Sequence, residues 1–543
     1  MKSSLALAAL LVTTPAAAQQ ADLLIWGGPI YTGIGPDAVE AVAVIGGKIA
    51  LVGGKAAAQA IRGPRTEVID LKGAALFPGF TDAHAHLRGV GDRELTLNLE
   101  GSKSAAEATN RVKTYLDQRK PAGPVFGRGW IETGWPEGRF LTRDDLDPIA
   151  PDQPVILGRA DGHALTANSA ALRAAGITEA TPSPEGGAIL KDAKGRLTGV
   201  LVDNAMALVR SLRTAPTPAD RRAAFEAAFK VEAAYGWTGV HSMSVDWADV
   251  ALLEALDVEG KATLRVYYAV EGAQAGPLFT GGPRASPSGR ITTRAIKLYE
   301  DGALGSRGAA LFAPYSDAPE TTGLVRTPPE TMRASMTQAR AAGIQVATHA
   351  IGDRGNANVL DLYAGQDASK LRWRIEHSQI VRPADIPRFA ALGVIASMQP
   401  SHAIGDLHFA PARLGEARLA GAYAWKDMLK AGVRVVGGSD APVERGDPLI
   451  EFYAAVARKD LTGFSAPDWN PGQKLSRAEA LKLFTAEAAY ARFAEKDLGT
   501  IEVGKIADLS AFSVDLMTAP EADIPKGRAV LTVVDGKVVY WAD

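Results

Sequence analysis

The chain has 543 residues, 47% of them hydrophobic and 22% charged, with a formal net charge of −2. This is a soluble globular balance, too long for one average domain and without a basic footprint for nucleic acid. The sequence holds no cysteine. That excludes disulfides, thiolate metal ligands, a cysteine nucleophile and a lipidated N-terminal cysteine, so a metal would have to sit on histidine, carboxylate or a rarer donor.

In chain order, residues 1–18 read as a cleavable signal peptide. Lys2 precedes an apolar run from Leu5 to Val12, and Ala16, Ala17 and Ala18 form a small-residue cleavage site. The expected location is therefore periplasmic or secreted. The run is too short to span a bilayer, and no later run approaches the roughly 18 apolar residues of a membrane span. Short β-like runs with Gly-rich turns follow over residues 22–76, and the same style returns over 497–543. Both chain ends are expected to build one small, discontinuous β-sandwich domain around a long central insertion.

That central part, residues 77–496, alternates β-like and helix-like runs. Eight strands are expected: "ALFPGFTDAHAH", "GWTGVHSM", "LRVYYAV", "AIKLYEDG", "IQVATHA", "RWRIEHS", "GVIASMQP" and "VRVVGGSD". Helical patterns such as "PADRRAAFEAAFKVEAAYG" separate most of them. Eight strands alternating with helices predict an α/β fold, a (β/α)8 TIM barrel, over the alternative of a doubly wound sheet. The first connection, about residues 88–235, is far longer than a βα loop. It is expected to form an inserted subdomain over the C-terminal mouth of the barrel, where active sites of such barrels lie.

The ends of the strands carry the chemistry. His84 and His86 are two apart on one strand, so they face the same side. Lys297 lies on the fourth strand, His349 ends the fifth, His377 ends the sixth and Asp440 follows the eighth. Four of the eight histidines thus fall at strand C-terminal ends, a placement that suits a metal site built from nitrogen and oxygen donors. The competing reading of Lys297 is an ion pair to Glu300 or Asp301.

This order of H-x-H, Lys, His, His and Asp over eight strands resembles the amidohydrolase superfamily of metal-dependent hydrolases, over essentially the whole mature chain. More narrowly, "KLYEDGALGSR", "HAIGDRG", "RIEHSQ", "DGHA" and "GTIEVGKIADL" look like amidohydrolase family 3, the subgroup that includes N-substituted formamide deformylase. The resemblance implies that His84, His86 and Asp440 bind a more buried metal and His349 and His377 a more exposed one. It implies a CO2-derived carbamate on Lys297 bridging the two divalent ions, with zinc the first choice and iron, manganese or cobalt the others. Asp440 would take the proton of the attacking water and pass it to the leaving amine. His163, in the insert, would reach the substrate carbonyl. Candidates for substrate contact are Trp130, His241, Asp301, Arg307 and His402, with Phe126 and Trp135 as further apolar wall. No role is evident for His408.

The function expected is metal-dependent hydrolysis of a non-peptide C–N bond in a small amide or formamide, with an apolar group seated under the insert. The alternatives are a dipeptidase, an esterase or a lactonase on the same site, or a non-catalytic binding protein, against which the filled ligand set argues. A homo-oligomer is possible, and no nucleic-acid partner or membrane span is expected.

Overall fold

A computed structural model describes residues 20–132, 135–160, 164–184, 187–366, 368–466 and 469–542. The segment read as a signal peptide, residues 1–18, and His163 lie outside the described residues. Among the described residues no helix is long and apolar enough to cross a membrane.

The barrel grows out of the sheet made by the two chain ends. That mixed sheet has eight strands, and its N-terminal strand Ala75–Pro78 pairs antiparallel with Leu509–Phe512 from the C-terminal end. After Gly79 the chain continues as Phe80–Ala85, the first barrel strand (β1). Gly79 is needed there: a Cβ on it would lie 2.4 Å from Thr238 Oγ1. Ser510 Oγ ties sheet to barrel, accepting from Phe80 N and donating to Gly236 O.

The other barrel strands are β2 (Trp237–Val245), β3 (Arg265–Glu271), β4 (Ile291–Tyr299), β5 (Gln345–Ala350), β6 (Arg374–His377), β7 (Ile395–Met398) and β8 (Val435–Gly437). Each pairs in parallel with its neighbours in chain order, so the eight strands form the expected TIM-like barrel. Both faces of a parallel sheet are covered, which is why these strands read as continuous apolar runs. The last strand meets the first through the residues just past β8. Asp440 N donates to His84 O at 2.6 Å and His86 N to Ala441 O at 2.7 Å.

Side-chain alternation then sets the depth of the site. Met243, Tyr267, Ala269, Ala295 and Ala347 pack together as a small apolar layer. Lys297 stands two residues beyond Ala295 on β4, and His349 two beyond Ala347 on β5, so each projects on the same side one layer nearer the mouth.

The connection after β1 holds a separate six-stranded sheet whose strands run from Leu97–Asn98 to Leu197–Asp203. The inserted sheet is narrower than the whole connection, because helices at both ends of it belong to the barrel wall. Helix Leu87–Leu95 packs on helix Pro218–Tyr235 so closely that a Cβ on Gly91 would lie 1.7 Å from Ala224 O. The second helix has clear sequence stops: a Thr217/Asp220 capping box, Pro218 at its start, and Gly236 at φ +99 as its C-cap.

The seam between β8 and β1 allows no side chain at Gly438, whose Cβ would lie 2.4 Å from His84 N and 2.8 Å from Asp82 Oδ1. Gly438→Ala is expected to destabilise the protein by about 1–3 kcal/mol and to lower its metal content. Urea unfolding and elemental analysis of the same preparation check both, and an unchanged midpoint with unchanged metal would refute the tightness of the seam.

Candidate metal centre

At the mouth of the barrel the donor atoms of His84, His377 and Asp440 lie within 4.8 Å of one another, all buried. His84 Nε2 is 3.4 Å and His86 Nε2 3.1 Å from Asp440 Oδ1. The His377 ring sits between its neighbours, 4.8 Å from the His84 ring and 4.5 Å from that of His349, centroid to centroid.

Each histidine is oriented from behind. His84 Nδ1 meets Glu376 Oε2 at 2.5 Å, His86 Nδ1 meets the Met243 carbonyl at 3.1 Å, and His377 Nδ1 meets Gln399 Oε1 at 2.9 Å. A carboxylate, a carbonyl and an amide oxygen facing Nδ1 fix an Nδ1–H tautomer, which leaves the Nε2 lone pair directed into the site. The backbone of Gly302 hydrogen-bonds the His349 ring. The Nε2 atoms of His84 and His349 and Asp440 Oδ1 are then buried without a hydrogen-bond partner among the described residues. Converging, buried, unpartnered lone pairs are costly unless a cation takes them up.

The electrostatics agree. Burial and then Lys297 push His349 down to about 3, and burial with His349 and His84 beside it holds His377 well below the usual imidazole range. Both are neutral donors. Burial lowers the pKa of Lys297, against the pull of Glu376 and Asp440. Its amine makes neither of the ion pairs open to it on sequence grounds: Asn358 donates to Glu300, and Asp301 accepts from the backbone N–H groups of Ala310, Ile351 and Gly352.

Two candidate ligands depend on unusual backbone. His377 has φ +75 and Asp440 φ +60, a left-handed conformation that non-glycine residues seldom adopt and that concentrates at functional sites. At His377 it breaks the strand alternation. Glu376 and His377 are adjacent, yet the Glu376 carboxylate meets His84 while the His377 ring packs against the same His84 ring.

The model of the amidohydrolase family matches residues 67–540. The chain belongs to the amidohydrolase family. It is 36% identical to the YtcJ protein of Bacillus subtilis over 95% of this chain and 99% of that protein. It is 29% identical to N-substituted formamide deformylase of Arthrobacter pascens over 92% of this chain and 95% of that enzyme. The crystal structure of a metal-dependent hydrolase from Pyrococcus horikoshii matches with a TM-score of 0.76 at 29% identity, covering 92% of this chain and 99% of that one. The protein is thus a metal-dependent hydrolase of this family.

Several residues of this amidohydrolase lie away from the expected contacts. Trp130 is fully buried in the core of the insert, its Nε1 donating to Leu157 O at 2.8 Å, and Trp135 packs beside it. They pack in the core that holds the insert together. Phe126 lies against the other insert core, under the Arg213 guanidinium. Arg307 points outward and pairs with Asp317 at 2.9 Å. His241 lies deep in the barrel, where its Nδ1 accepts from Arg374 at 3.1 Å, and burial with that arginine keeps it neutral. Asp301 and His402 do sit at the site. Asp301 Oδ1 is 3.5 Å from His349 Nε2 and His402 Nε2 is 3.7 Å from Asp440 Oδ2. His408 is exposed and pairs with Asp460.

Sequence reading missed Glu376 and Arg374, though both stand in "RIEHSQ". They are fully buried and ion-paired, and Arg374 also bonds Ala83 O and Ser397 Oγ. Burial opposes the Glu376 charge, but Arg374 and His84 outweigh it. Two charged residues in alternation on a strand of the barrel were the available signal. Glu376→Gln is expected to weaken metal binding about 10–100-fold with the fold retained, as read by competition with a chromogenic chelator. Unchanged affinity would show that the carboxylate does not orient His84.

Proposed function

We propose that the protein hydrolyses a non-peptide C–N bond in small amides or formamides, using two divalent ions, zinc first, and a carbamate on Lys297. The observation that carries this is the common Nδ1–H tautomer of His84, His86 and His377, which turns three Nε2 lone pairs toward Asp440. His84, His86 and Asp440 would hold one ion, His349 and His377 the other. Lys297 supports the bridge because burial disfavours its ammonium form. The neutral amine adds to CO2, forming an N–C bond and releasing one proton, and the resulting anion offers two oxygens. Bound divalent ions supply an acidified water and a polarised carbonyl.

The chain's own groups do the rest. Asp440 accepts the proton of the attacking water. It then returns the proton to the leaving nitrogen, a step amides need more than esters do. His402, beside Asp440 Oδ2, is placed to hydrogen-bond the reacting group on that side. The likeness to N-substituted formamide deformylase supports a C–N bond over the ester, lactone and dipeptide readings. The donor set contains no sulfur, which favours zinc with nitrogen and oxygen ligands.

Asp440→Asn is expected to lower kcat by about 10²–10⁴-fold on every substrate. Lys297→Ala is expected to lower metal content and activity together, and a short carboxylic acid to restore part of both. A plain lysine found by mass spectrometry and crystallography in a fully metal-loaded, active enzyme would remove the carbamate. Matched amide and ester pairs decide the bond: turnover confined to esters or lactones would overturn the amide reading and leave the metal centre standing.

A further inference from the structure

Between the barrel mouth and the inserted sheet lies a cavity of about 540 Å³, a volume that suits a small organic substrate. One wall is the loop from Pro442 to Glu444, directly after Asp440, and the facing wall includes Glu100, Lys103 and Arg128 of the insert. The cavity adjoins the metal centre. Glu444 Oε1 is 3.7 Å from His402 Nε2, and the same nitrogen is 3.7 Å from Asp440 Oδ2.

Arg128 differs from the other arginines of this cavity. Arg93 donates to Glu94 and to the carbonyls of Glu444 and Arg445, and Arg445 is hydrogen-bonded to Tyr235. Arg128 is half-buried, and its guanidinium makes no hydrogen bond or ion pair with the described residues. Burial and the nearby Arg93 both work against its charge, with Glu100 opposing them too distantly for an ion pair. The backbone displays it deliberately. Arg128 and Trp130 sit two apart on strand Val125–Trp130 and would share a face, but the ladder slips between them at Gly129, φ +99. This bulge sends Trp130 into the insert core and leaves Arg128 on the cavity wall. A Cβ on Gly129 would lie 2.9 Å from Glu100 N, so the bulge admits only glycine without a shift.

We propose that Arg128 is an anion-binding, specificity-determining residue, and that the enzyme selects amides bearing a carboxylate on the part of the substrate lodged under the insert. A guanidinium fork matches a carboxylate with two parallel hydrogen bonds. Glu100 and Asp460 in the same walls disfavour a doubly charged phosphate. The proposal replaces the apolar wall expected from Trp130 and rests on the amide-hydrolase reading above.

The test uses the metal-loaded full protein and two amides that differ only in a carboxylate, N-acetylphenylalanine and N-acetyl-2-phenylethylamine. The wild type is expected to favour the carboxylate in kcat/KM by about tenfold or more. In Arg128→Met that ratio is expected to fall about ten- to a hundredfold, and in Arg128→Lys by less. Calorimetry should show weaker binding of N-acetylphenylalanine to Arg128→Met than to wild type, with circular dichroism confirming the fold. Arg128→Lys, which keeps the charge and loses the fork, serves if the methionine variant does not fold. A wild type that prefers the neutral amide, or a ratio and binding that Arg128 variants leave unchanged, would overturn the proposal. If neither amide is turned over, the amide reading is decided by the matched amide and ester pairs above, and the binding comparison still decides Arg128.

Discussion

The structure depends on the seam where the end of the last barrel strand meets the first. Two backbone hydrogen bonds, Asp440 N to His84 O and His86 N to Ala441 O, join segments more than 350 residues apart, as the bonds from Ser439 to Asp82 do (|i−j| = 357). They place one carboxylate against two imidazoles. Asp82 reinforces the joint by accepting from Ser439 N, Ser439 Oγ and His84 N. Three hydrogen bonds go to one buried carboxyl, which burial nonetheless raises to about 6. The metal centre therefore belongs to barrel closure itself: if the seam opens, the ligands separate.

Closure also explains why so much charge is buried beneath the mouth. Arg374 and Glu376 form a fully buried ion pair. Such a pair is weak support for stability, because desolvation offsets much of its attraction. Its value here is directional. Arg374 fixes Glu376, Glu376 fixes the His84 tautomer, and the free side of the imidazole then faces Asp440. Each partner restricts the next, so the candidate ligands are held in place by the protein itself.

The insert adds the outer wall. Its own core is apolar and closed, with Trp130, Trp135, Leu141 and Leu157 packed together. The bulge at Gly129 leaves Arg128 on the cavity wall above the seam. The candidate metal centre thus stands on the barrel and the outer wall of the adjoining cavity on the insert, a division common to folds whose loops rise over a strand barrel.

The sequence by itself determined the barrel and the order of its strands, and it placed His84, His377 and Asp440, whose donor atoms the fold brings together, at strand ends. These features are local: a strand announces itself by an apolar run, and a ligand by its place at the run's end. It also showed that both chain ends share one sheet, from the matching Gly-rich style of residues 22–76 and 497–543. What it left open was which side chains face one another. Strand alternation predicts faces only while the backbone stays regular, and it fails at His377 and at Gly129, where positive φ turns the chain. Hence Trp130 looked like a pocket wall and is core, Arg307 looked like a site residue and pairs with surface Asp317, and Glu376 and Arg374 passed unnoticed. Only the closed tertiary structure decided those partners, because burial and pairing depend on strands far apart in sequence being brought within hydrogen-bonding distance.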